Sequence, residues 1–532
     1  MNLASRDLFV RGIAVVLLPA VFLTVMLVLP VIRLLAEGGA SPLLGTVLSL
    51  WHDDYLRWRV VWSFVQAALT CVAALALGLP VAWVLARFDF PGRTLVLRLL
   101  MLPFVVPTLV AALGVLALWG PRGLISGGLG FHLQDTPWLL LYGNLFFNLC
   151  VVVRAGVDAL GQVSGARVAV ARTLGATPWR TFWRVEWPAI APWLASALCL
   201  VFLYCFAGFG LALILGGQRF ATVEVEIYTL VAHELKLAEA GVLAVCMMVL
   251  TGGVALAYAW IEKRLATPAR ADTIALRQAT GAFQWTLIAM ALTVLLVFCA
   301  APLLAVLLRV VLAGSEAWAV LIDEETVHAL WNTLRFSASA LVLAIALGLT
   351  HALAARHSVL LRASAFLPFV VSPVTVAFGL LLLYPHWTAS MTLLISAYAL
   401  IAYPFVAKSL SSALDGLPPH LGQAARTLGA TPWRAFWRVT LPQVMPALRR
   451  GMAFATATVL GEFAVSLFLS RPEWTTLTTL IYQRLGRPGA ANLDAALVLA
   501  CLLMVLALAA FLVIENPLPN VRRRAASHPR HA

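Results

Sequence analysis

Long apolar runs without charged residues alternate with short polar segments along most of this 532-residue chain. Each run is near or above the roughly 20 residues that a membrane-spanning helix needs. Nine such runs cover residues 12–32, 60–86, 99–121, 136–153, 187–218, 240–261, 278–308, 336–355 and 495–514. Residues 363–407 are long enough for two spans with a turn at Tyr384–Pro385–His386, and residues 451–470 form another span, interrupted by Glu462. The pattern predicts an all-α polytopic membrane protein with about 12 transmembrane helices.

The composition agrees with a chain that lies mostly in lipid. Hydrophobic residues make up 62% of the sequence and charged residues only 11%. Soluble domains carry about 25% charged residues, which are needed to cover a surface in water. The composition therefore excludes a water-soluble globular protein.

The positive charge is explained by membrane topology. The net charge of +14 is a possible sign of a nucleic-acid partner. If 12 spans alternate from a cytosolic N-terminus, however, 26 Lys and Arg fall on cytosolic segments and 11 elsewhere, while eight acids are cytosolic and fourteen external. This asymmetry follows the positive-inside rule. We therefore expect a multi-pass protein in the lipid bilayer with both termini cytosolic and no nucleic-acid partner.

One segment occurs twice. Residues 171–188 and 425–442 agree at fifteen of eighteen positions and lie 254 residues apart. Two shorter stretches also recur: LGLPVAWVLAR (77–87) resembles LGLTHALAAR (347–356), and LPFVVP (102–107) resembles LPFVVSP (367–373). Repeats of this kind indicate two similar halves. With six spans in each half, both copies face the same side, so the halves are parallel repeats with a solute path between them.

The repeats divide the chain into five parts. The expected parts are a lead-in helix and external loop (1–55), a first transmembrane domain (56–262), a linker and second lead-in helix (263–326), a second transmembrane domain (327–515) and a basic cytosolic tail (516–532).

Local chemistry predicts a helix, a turn and a second helix in each copy of the repeated segment. Gly175 suits the left-handed residue that ends a helix, Thr177 can cap the next helix, and Pro178 fits its first turn. We expect Pro188 to end this short helix, which would lie across the membrane face. The residues expected to form the surface are Ala171, Arg172, Gly175, Thr177, Pro178, Trp179, Arg180, Phe182 and Pro188, with Ala425, Arg426, Gly429, Thr431, Pro432, Trp433, Arg434, Phe436 and Pro442 in the second copy.

Two interpretations of this surface are open. A basic helix with tryptophans is typical of a segment that rests at the lipid headgroups. Near-identity of the two copies, although the flanking spans have diverged, favours docking to one kind of partner.

The segment resembles the EAA loop of ABC importer permeases, E-A-A-x-x-x-G followed after nine residues by I-x-L-P. The second copy has Gln423-Ala424-Ala425-Arg426-Thr427-Leu428-Gly429 and Val439-Thr440-Leu441-Pro442. The first has Ala169-Val170-Ala171-Arg172-Thr173-Leu174-Gly175 and Val185-Glu186-Trp187-Pro188. Both copies lack the leading Glu of the family. The resemblance implies a type I ABC importer permease in a bacterial inner membrane, whose loops couple to two copies of a cytosolic ATPase and which receives solute from a periplasmic substrate-binding protein.

The sequence has no G-x-x-x-x-G-K-[ST] phosphate loop, so ATP hydrolysis is expected from a separate chain. It also has no catalytic constellation, and His233 has no Cys or second His at ligand spacing. We expect a transport subunit that is not an enzyme, with no cofactor and no metal site.

Fused double permeases of this kind resemble those for thiamine and for ferric iron. Residues 215–228, LGGQRFATVEVEIY, and Gly461-Glu462-Phe463 are similar to the thiamine permeases, so the resemblance favours thiamine, with ferric iron as the alternative. A secondary transporter also has parallel repeats, but it would need more charges inside its spans. Whether phosphorylated thiamine is carried stays open.

Two sets of acids are candidates for a role in transport. Glu462 lies inside a predicted span, and an ionisable residue there is either a pathway residue or a packing residue that is protonated or paired with an arginine. Glu224, Glu226, Glu234 and Glu239 lie in a predicted external loop. They either meet a binding protein or belong to a solvated surface helix.

Overall fold

The computed structural model describes residues 16–39, 52–265, 276–356, 359–365, 367–388, 390–469 and 471–515. The predicted basic tail (516–532) lies outside these residues. So do parts of the predicted first loop and of the linker, residues 40–51 and 266–275.

The first half is built from nine main helices. They are α1 (Val16–Glu37), α2 (Asp54–Arg87), α3 (Thr108–Trp119), α4 (Pro137–Gly161), α5 (Gly165–Thr173), α6 (Pro178–Phe206), α7 (Gly210–Leu215), α8 (Val223–Thr229) and α9 (Leu237–Ile261). Short helices at Arg93–Leu99, Leu102–Val105 and Ser126–Leu129 lie in the connections.

The second half repeats this order with a matching helix for each of the nine. They are α10 (Ala282–Leu312), α11 (Glu324–Ala354), α12 (Pro373–Leu383), α13 (Met391–Asp415), α14 (Pro419–Thr427), α15 (432–460), α16 (Ala464–Leu469), α17 (Leu477–Gly486) and α18 (Ala490–Glu515). Short helices lie at Ser315–Ala319, Val320–Ile322, Val359–Ser364, Leu367–Val370 and Pro472–Trp474. The all-α fold and its two repeats are confirmed.

The described residues contain nine helices that are long and apolar enough to cross a membrane, or eleven when each of two bent pairs counts as one span. The pairs join Arg93–Val105 to Thr108–Trp119 at 105° and Leu361–Val370 to Pro373–Leu383 at 95°. Both bends lie at a proline, Pro107 or Pro373, which cannot donate a helical hydrogen bond. A span bent at a proline is therefore present at the matching place in each half.

Two predicted spans are broken instead of continuous. The expected helix over 187–218 stops at Phe206, and α7 begins at Gly210. The expected helix over 451–470 starts earlier, as α15, and stops at Leu460 before α16 begins at Ala464. In both halves the backbone leaves the helix at a small residue, Ala207 or Gly461. Helix α15 carries Arg449 and Arg450 and is not among the helices that meet the criteria for a membrane span.

Local contacts fix the start of α2 and the turn that follows it. The carboxylate of Asp53 caps α2 by accepting the N–H of Tyr55 at 2.9 Å. After α2 the chain turns at Gly92, whose φ of 88° favours glycine. Between these points the two-residue strand Phe88–Asp89 pairs in parallel with Arg277–Gln278, which precedes α10.

The two lead-in helices, α1 and α10, each pack against the other half. Helix α10 contacts α3 of the first half as well as α18, and α1 contacts α12 of the second half as well as α9. A Cβ added at Gly114 would lie 2.5 Å from the carbonyl oxygen of Pro302, and one at Gly379 would lie 3.0 Å from that of Pro30. Glycine thus lets a proline-bearing helix approach closely at the matching place in each half.

Candidate functional site

The repeated segments end their first helix in the same way. Gly175 and Gly429 have φ values of 80° and 81°, the left-handed region that favours glycine. In the first copy the N–H of Ala176 donates to the carbonyl of Ala171 and that of Gly175 to Arg172, both at 3.0 Å. The second copy has the same two bonds at the matching positions. Both turns are Schellman motifs, and the predicted helix end is confirmed.

The second helix of each segment begins with the predicted cap. The hydroxyl of Thr177 accepts the N–H of Arg180 at 3.3 Å, and Thr431 accepts that of Arg434 at the same distance. Pro178 and its counterpart stand in the first turn, where a missing N–H leaves no bond unmade.

The predicted end of this second helix at Pro188 and Pro442 is wrong. A π-helical turn, Phe182–Glu186 or Phe436–Thr440, leads directly into the following long helix in each copy. A proline inside an α-helix clashes with the preceding turn, and the wider π-helical turn relieves that clash. Each segment is therefore a rigid extension of a long helix, and not a separate helix across the membrane face.

Both segments present the same exposed surface. Trp179 is 70% exposed and Trp433 is 61% exposed. The arginines of the surface are exposed, and Phe182 and Phe436 are half-buried. Exposed, half-buried and buried positions coincide over 171–185 and 425–439. Large aromatic side chains beside arginines, exposed on a rigid turn, are typical of a protein interface.

The copies differ where their sequences differ. Glu186 is buried and pairs with Arg87 of α2 at 2.7 Å, whereas the second copy has Thr440 at this position. The first segment also borders a cavity of about 560 Å³, lined by Trp83, Trp179 and Trp183 among others. The first segment is thus tied to α2 by an ion pair that the second cannot form.

A second cavity, of about 320 Å³, lies between the two halves. Its walls contain both bent-span prolines and both helix breaks, 207–209 and 461–463. Phe209 and Phe463 stack across the interface with ring centroids 5.9 Å apart. Tyr228 packs edge-on against Phe209, and Tyr482 lies against Phe463. The cavity is therefore lined by equivalent elements of the two halves, as expected of a solute path.

Glu462 lies in the second-half break, where the first half has Gly208. Its Oε1 accepts the N–H of Val465 at 3.0 Å, so the carboxylate caps α16. The residue also lines the cavity. The structure thus gives Glu462 a packing contact as well as a place on the cavity wall, and its role in the pathway stays a prediction.

Comparison with known proteins identifies the family. The model of the binding-protein-dependent transport system inner membrane component family matches residues 74–267 and 341–518, most of the chain and both halves. The chain belongs to this family. It is a polytopic permease subunit of an ABC importer of the binding-protein-dependent kind.

Two relatives match nearly the whole permease, and a third matches a smaller part of it. It is 30% identical over 499 residues to the thiamine transport system permease protein ThiP of Escherichia coli, covering 89% of this chain and 92% of that protein. The ThiP of Haemophilus influenzae is 26% identical over 493 residues, 85% and 87% of the two chains. The sulfate transport system permease protein CysT of Synechococcus elongatus is 32% identical over 205 residues, 37% of this chain and 72% of that protein.

A solved structure also matches the permease. It is a bacterial ABC transporter involved in the import of the acidic polysaccharide alginate, with a TM-score of 0.42 and 16% identity, covering 49% of this chain and 98% of that chain.

The four acids of the predicted external loop do not form the exposed surface that the sequence predicts. Glu224 and Glu226 are buried, whereas Glu234 is exposed and Glu239 half-buried. A buried carboxylate cannot meet a binding protein, so both proposed roles are wrong for Glu224 and Glu226. Glu224 and Glu226 lie about 200° apart around α8, and both are buried because neighbouring elements enclose the helix on all sides over residues 223–228, which no local pattern reveals.

Glu226 belongs to a buried ion pair. Its carboxylate lies 3.3 Å from Nε of Arg59 and accepts the hydroxyl of Tyr55 at 2.9 Å. Arg59 also donates to the carbonyls of Gln218 and Ala221. Burial raises the pKa of the Glu226 carboxyl, while the bond from Tyr55 and the charge of Arg59 act in the opposite direction. The pair fastens the start of α2 to α8.

We expect Glu226→Leu to destabilise the permease by about 3–5 kcal/mol, because it leaves the guanidinium of Arg59 buried without a countercharge. The apparent melting temperature in detergent measures this effect. Glu234→Leu is the matched control and should change it little, because Glu234 pairs with Lys236 in the open. Equal melting temperatures of the two variants would contradict the prediction.

A polar network inside the first half was missed from the sequence. Gln66 donates to the carbonyl of Cys205 at 2.8 Å, Asn144 donates to the side-chain oxygen of Gln66 at 2.7 Å, and Asn148 donates to the carbonyl of Asn144 at 2.9 Å. The available signal was three amide side chains inside otherwise apolar spans.

Among the described residues, no group of three or more His, Cys, Asp or Glu is placed to hold a metal ion.

Proposed function

We propose that the permease carries thiamine and is driven by two copies of a cytosolic ATPase that dock on residues 171–188 and 425–442. The observation that carries the docking is the same rigid, exposed Trp and Arg surface on both segments. Two equal docking surfaces fit two equal partners. A groove on each ATPase would receive the aromatic side chains, and its acids would pair with the arginines.

The choice of solute rests on relatives that span almost the whole chain. The relatives from Escherichia coli and Haemophilus influenzae are thiamine transport permeases, whereas the sulfate permease matches only 205 residues. The proposal includes a periplasmic binding protein that delivers thiamine, both termini on the cytosolic side, and permease domains at 56–262 and 327–515. Each segment continues into α6 or α15, which ends at the cavity wall. Movement of an ATPase would therefore reach the cavity through one helix on each side.

Reconstitution tests the proposed function. The permease, its ATPase and its binding protein are placed in proteoliposomes, and uptake of radiolabelled thiamine and of ferric iron is followed. We expect thiamine to accumulate against its gradient only when ATP is present on the side of the repeated segments. Accumulation of ferric iron instead, or thiamine accumulation driven by an ion gradient without ATPase, would contradict the proposal.

A further inference from the structure

The cavity of about 560 Å³ beside the first repeated segment is built partly from two helices that are long and apolar enough to span a membrane. Leu79 on its wall belongs to the last three turns of α2, and Leu287 belongs to the second turn of α10. At 1.5 Å per residue, Leu79 lies about 12 Å along α2 from Arg87, the last residue of that helix. The cavity therefore extends from the end of α2 into the part of the molecule that lies in the bilayer.

The wall of the cavity at the end of α2 is basic. Among the described residues, three arginines and one glutamate line the cavity: Arg87, Arg172, Arg277 and Glu186. Glu186 is paired with Arg87 at 2.7 Å, so its charge is already balanced. Arg172 and Arg277 are exposed, and no other acid among the described residues of the wall balances them. The cavity thus has an excess of two positive charges.

Tryptophans supply much of the remaining wall. Trp83 packs edge-on against Phe88 with ring centroids 5.8 Å apart, and Trp179 packs edge-on against Trp183 at 5.6 Å. All four rings line the cavity. Tryptophan prefers the boundary between the hydrocarbon of a bilayer and its headgroups, so the wall has the composition of that boundary.

The second half does not repeat this wall. The positions that match Trp83 and Glu186 hold Leu353 and Thr440. Arg277 belongs to the linker between the halves, and its strand pairs with Phe88–Asp89 of the first half. In the proposed docking, two equal ATPases meet both repeated segments alike. A basic cavity on one segment only therefore indicates an occupant other than the ATPase.

The chemistry of the wall selects a ligand that is anionic at one end and apolar along the rest. Guanidinium groups bind phosphate oxygens through parallel N–H bonds, and basic pockets between spanning helices hold anionic lipid headgroups. A water-soluble phosphate compound would use the arginines but leave the apolar wall of α2 and α10 without a partner. The volume is in the range of sites for organic ligands. It accommodates a headgroup and the adjoining part of the acyl chains, while the rest of the chains stays in the bilayer.

We propose that this cavity binds one anionic phospholipid from the leaflet on the side of the repeated segments. Its phosphate lies at Arg172 and Arg277, and its acyl chains follow Leu79 and Leu287. The bound lipid joins the end of α2 to the linker and to α10, the lead-in helix of the second half. This inference goes beyond the proposed function, because it does not depend on the solute that the permease carries.

Native mass spectrometry of the full-length permease in detergent tests the assignment, with dioleoyl phosphatidylglycerol and dioleoyl phosphatidylcholine as probes. The wild type should retain one phosphatidylglycerol at concentrations at which phosphatidylcholine does not bind. Each basic residue beside an anionic headgroup contributes about fivefold to affinity. Arg277→Gln should therefore weaken phosphatidylglycerol binding about fivefold, and Arg277→Glu, which changes the charge by two, about twenty-five-fold.

Arg98→Glu is the matched control. Arg98 is exposed in the short helix that follows the end of α2, and it does not line the cavity. This variant makes the same change of charge and should bind phosphatidylglycerol within about twofold of the wild type. Melting temperatures without added lipid show whether each variant is folded, and Arg277→Gln keeps the test decisive if Arg277→Glu is unstable.

Four results would overturn the assignment. Equal binding of the two phospholipids would remove the selectivity for an anion, and an equal loss in Arg98→Glu and Arg277→Glu would show attraction to the overall charge. Displacement of the lipid by glycerol phosphate at similar concentration would identify a water-soluble phosphate compound as the ligand. Displacement by the cytosolic ATPase would assign the cavity to the docking surface. Uptake of thiamine in proteoliposomes is a separate measurement, so each proposal can fail without the other.

Discussion

Replacing Trp179 and Trp433 together with alanine should abolish ATP-driven uptake and release the ATPase from the membrane. Both side chains are largely exposed on equivalent rigid turns. Truncating an aromatic anchor of an interface costs about 2 kcal/mol. If the two sites act independently, the loss is about 4 kcal/mol, on the order of a thousandfold in affinity. Co-purification of the ATPase and its stimulation by the permease measure this loss.

Trp138 provides a matched control in the first half of the permease. Trp138 is 64% exposed, similar to the two segment tryptophans, but it stands at the start of α4, whose other end leads into α5. At 1.5 Å per residue, Trp138 lies about 34 Å along the axis of α4 from the end that leads into α5. Trp138→Ala should keep the ATPase bound. Single variants should each lose part of the affinity, and a double variant that still co-purifies with the ATPase would overturn the docking proposal.

Gly114→Val should destabilise the permease, because Gly114 lies in α3 directly against the lead-in helix α10. A Cβ there would lie 2.5 Å from a backbone carbonyl of α10, and backbone cannot rotate away as a side chain can. Overpacking of this kind costs about 1–3 kcal/mol or more. Gly379→Val should cost less, because the corresponding approach is 3.0 Å.

Gly253→Val separates packing from helix propensity. Gly253 lies in α9 with nothing within 4 Å of an added Cβ, so valine should be tolerated. Melting temperature in detergent and protection of α10 from protease report the difference. A Gly114→Val protein as stable as Gly253→Val would show that the close contact between α10 and α3 does not matter for stability.

The repeated segments were predictable because their structure depends on local chemistry. Gly175 with positive φ and Thr177 as a cap follow from neighbours in sequence. The continuation through Pro188 did not follow, because a π-helical turn has no clear sequence signal and depends on the helix that it joins.

The interior of the permease was much less predictable. The burial of Glu226 depends on Arg59, which is 167 residues away in the chain. The sequence alone does not show that Asn148 lines the cavity between the halves. Apolar spans carry little information about their partners, since lipid and protein are equally suitable neighbours for a leucine. The crossing of α1 and α10 to opposite halves could not be read from periodicity for the same reason.

The crossed lead-in helices impose an order on biosynthesis. Gly114 leaves the ribosome long before Pro302, which follows 188 residues later. At about 5–20 residues per second, the contact face of α3 waits about 10–40 s for its covering helix. Helix α1 waits longer still for α12. The first half therefore reaches its final packing only after translation of the second half has begun, and during that interval lipid or an insertion chaperone must cover the open face.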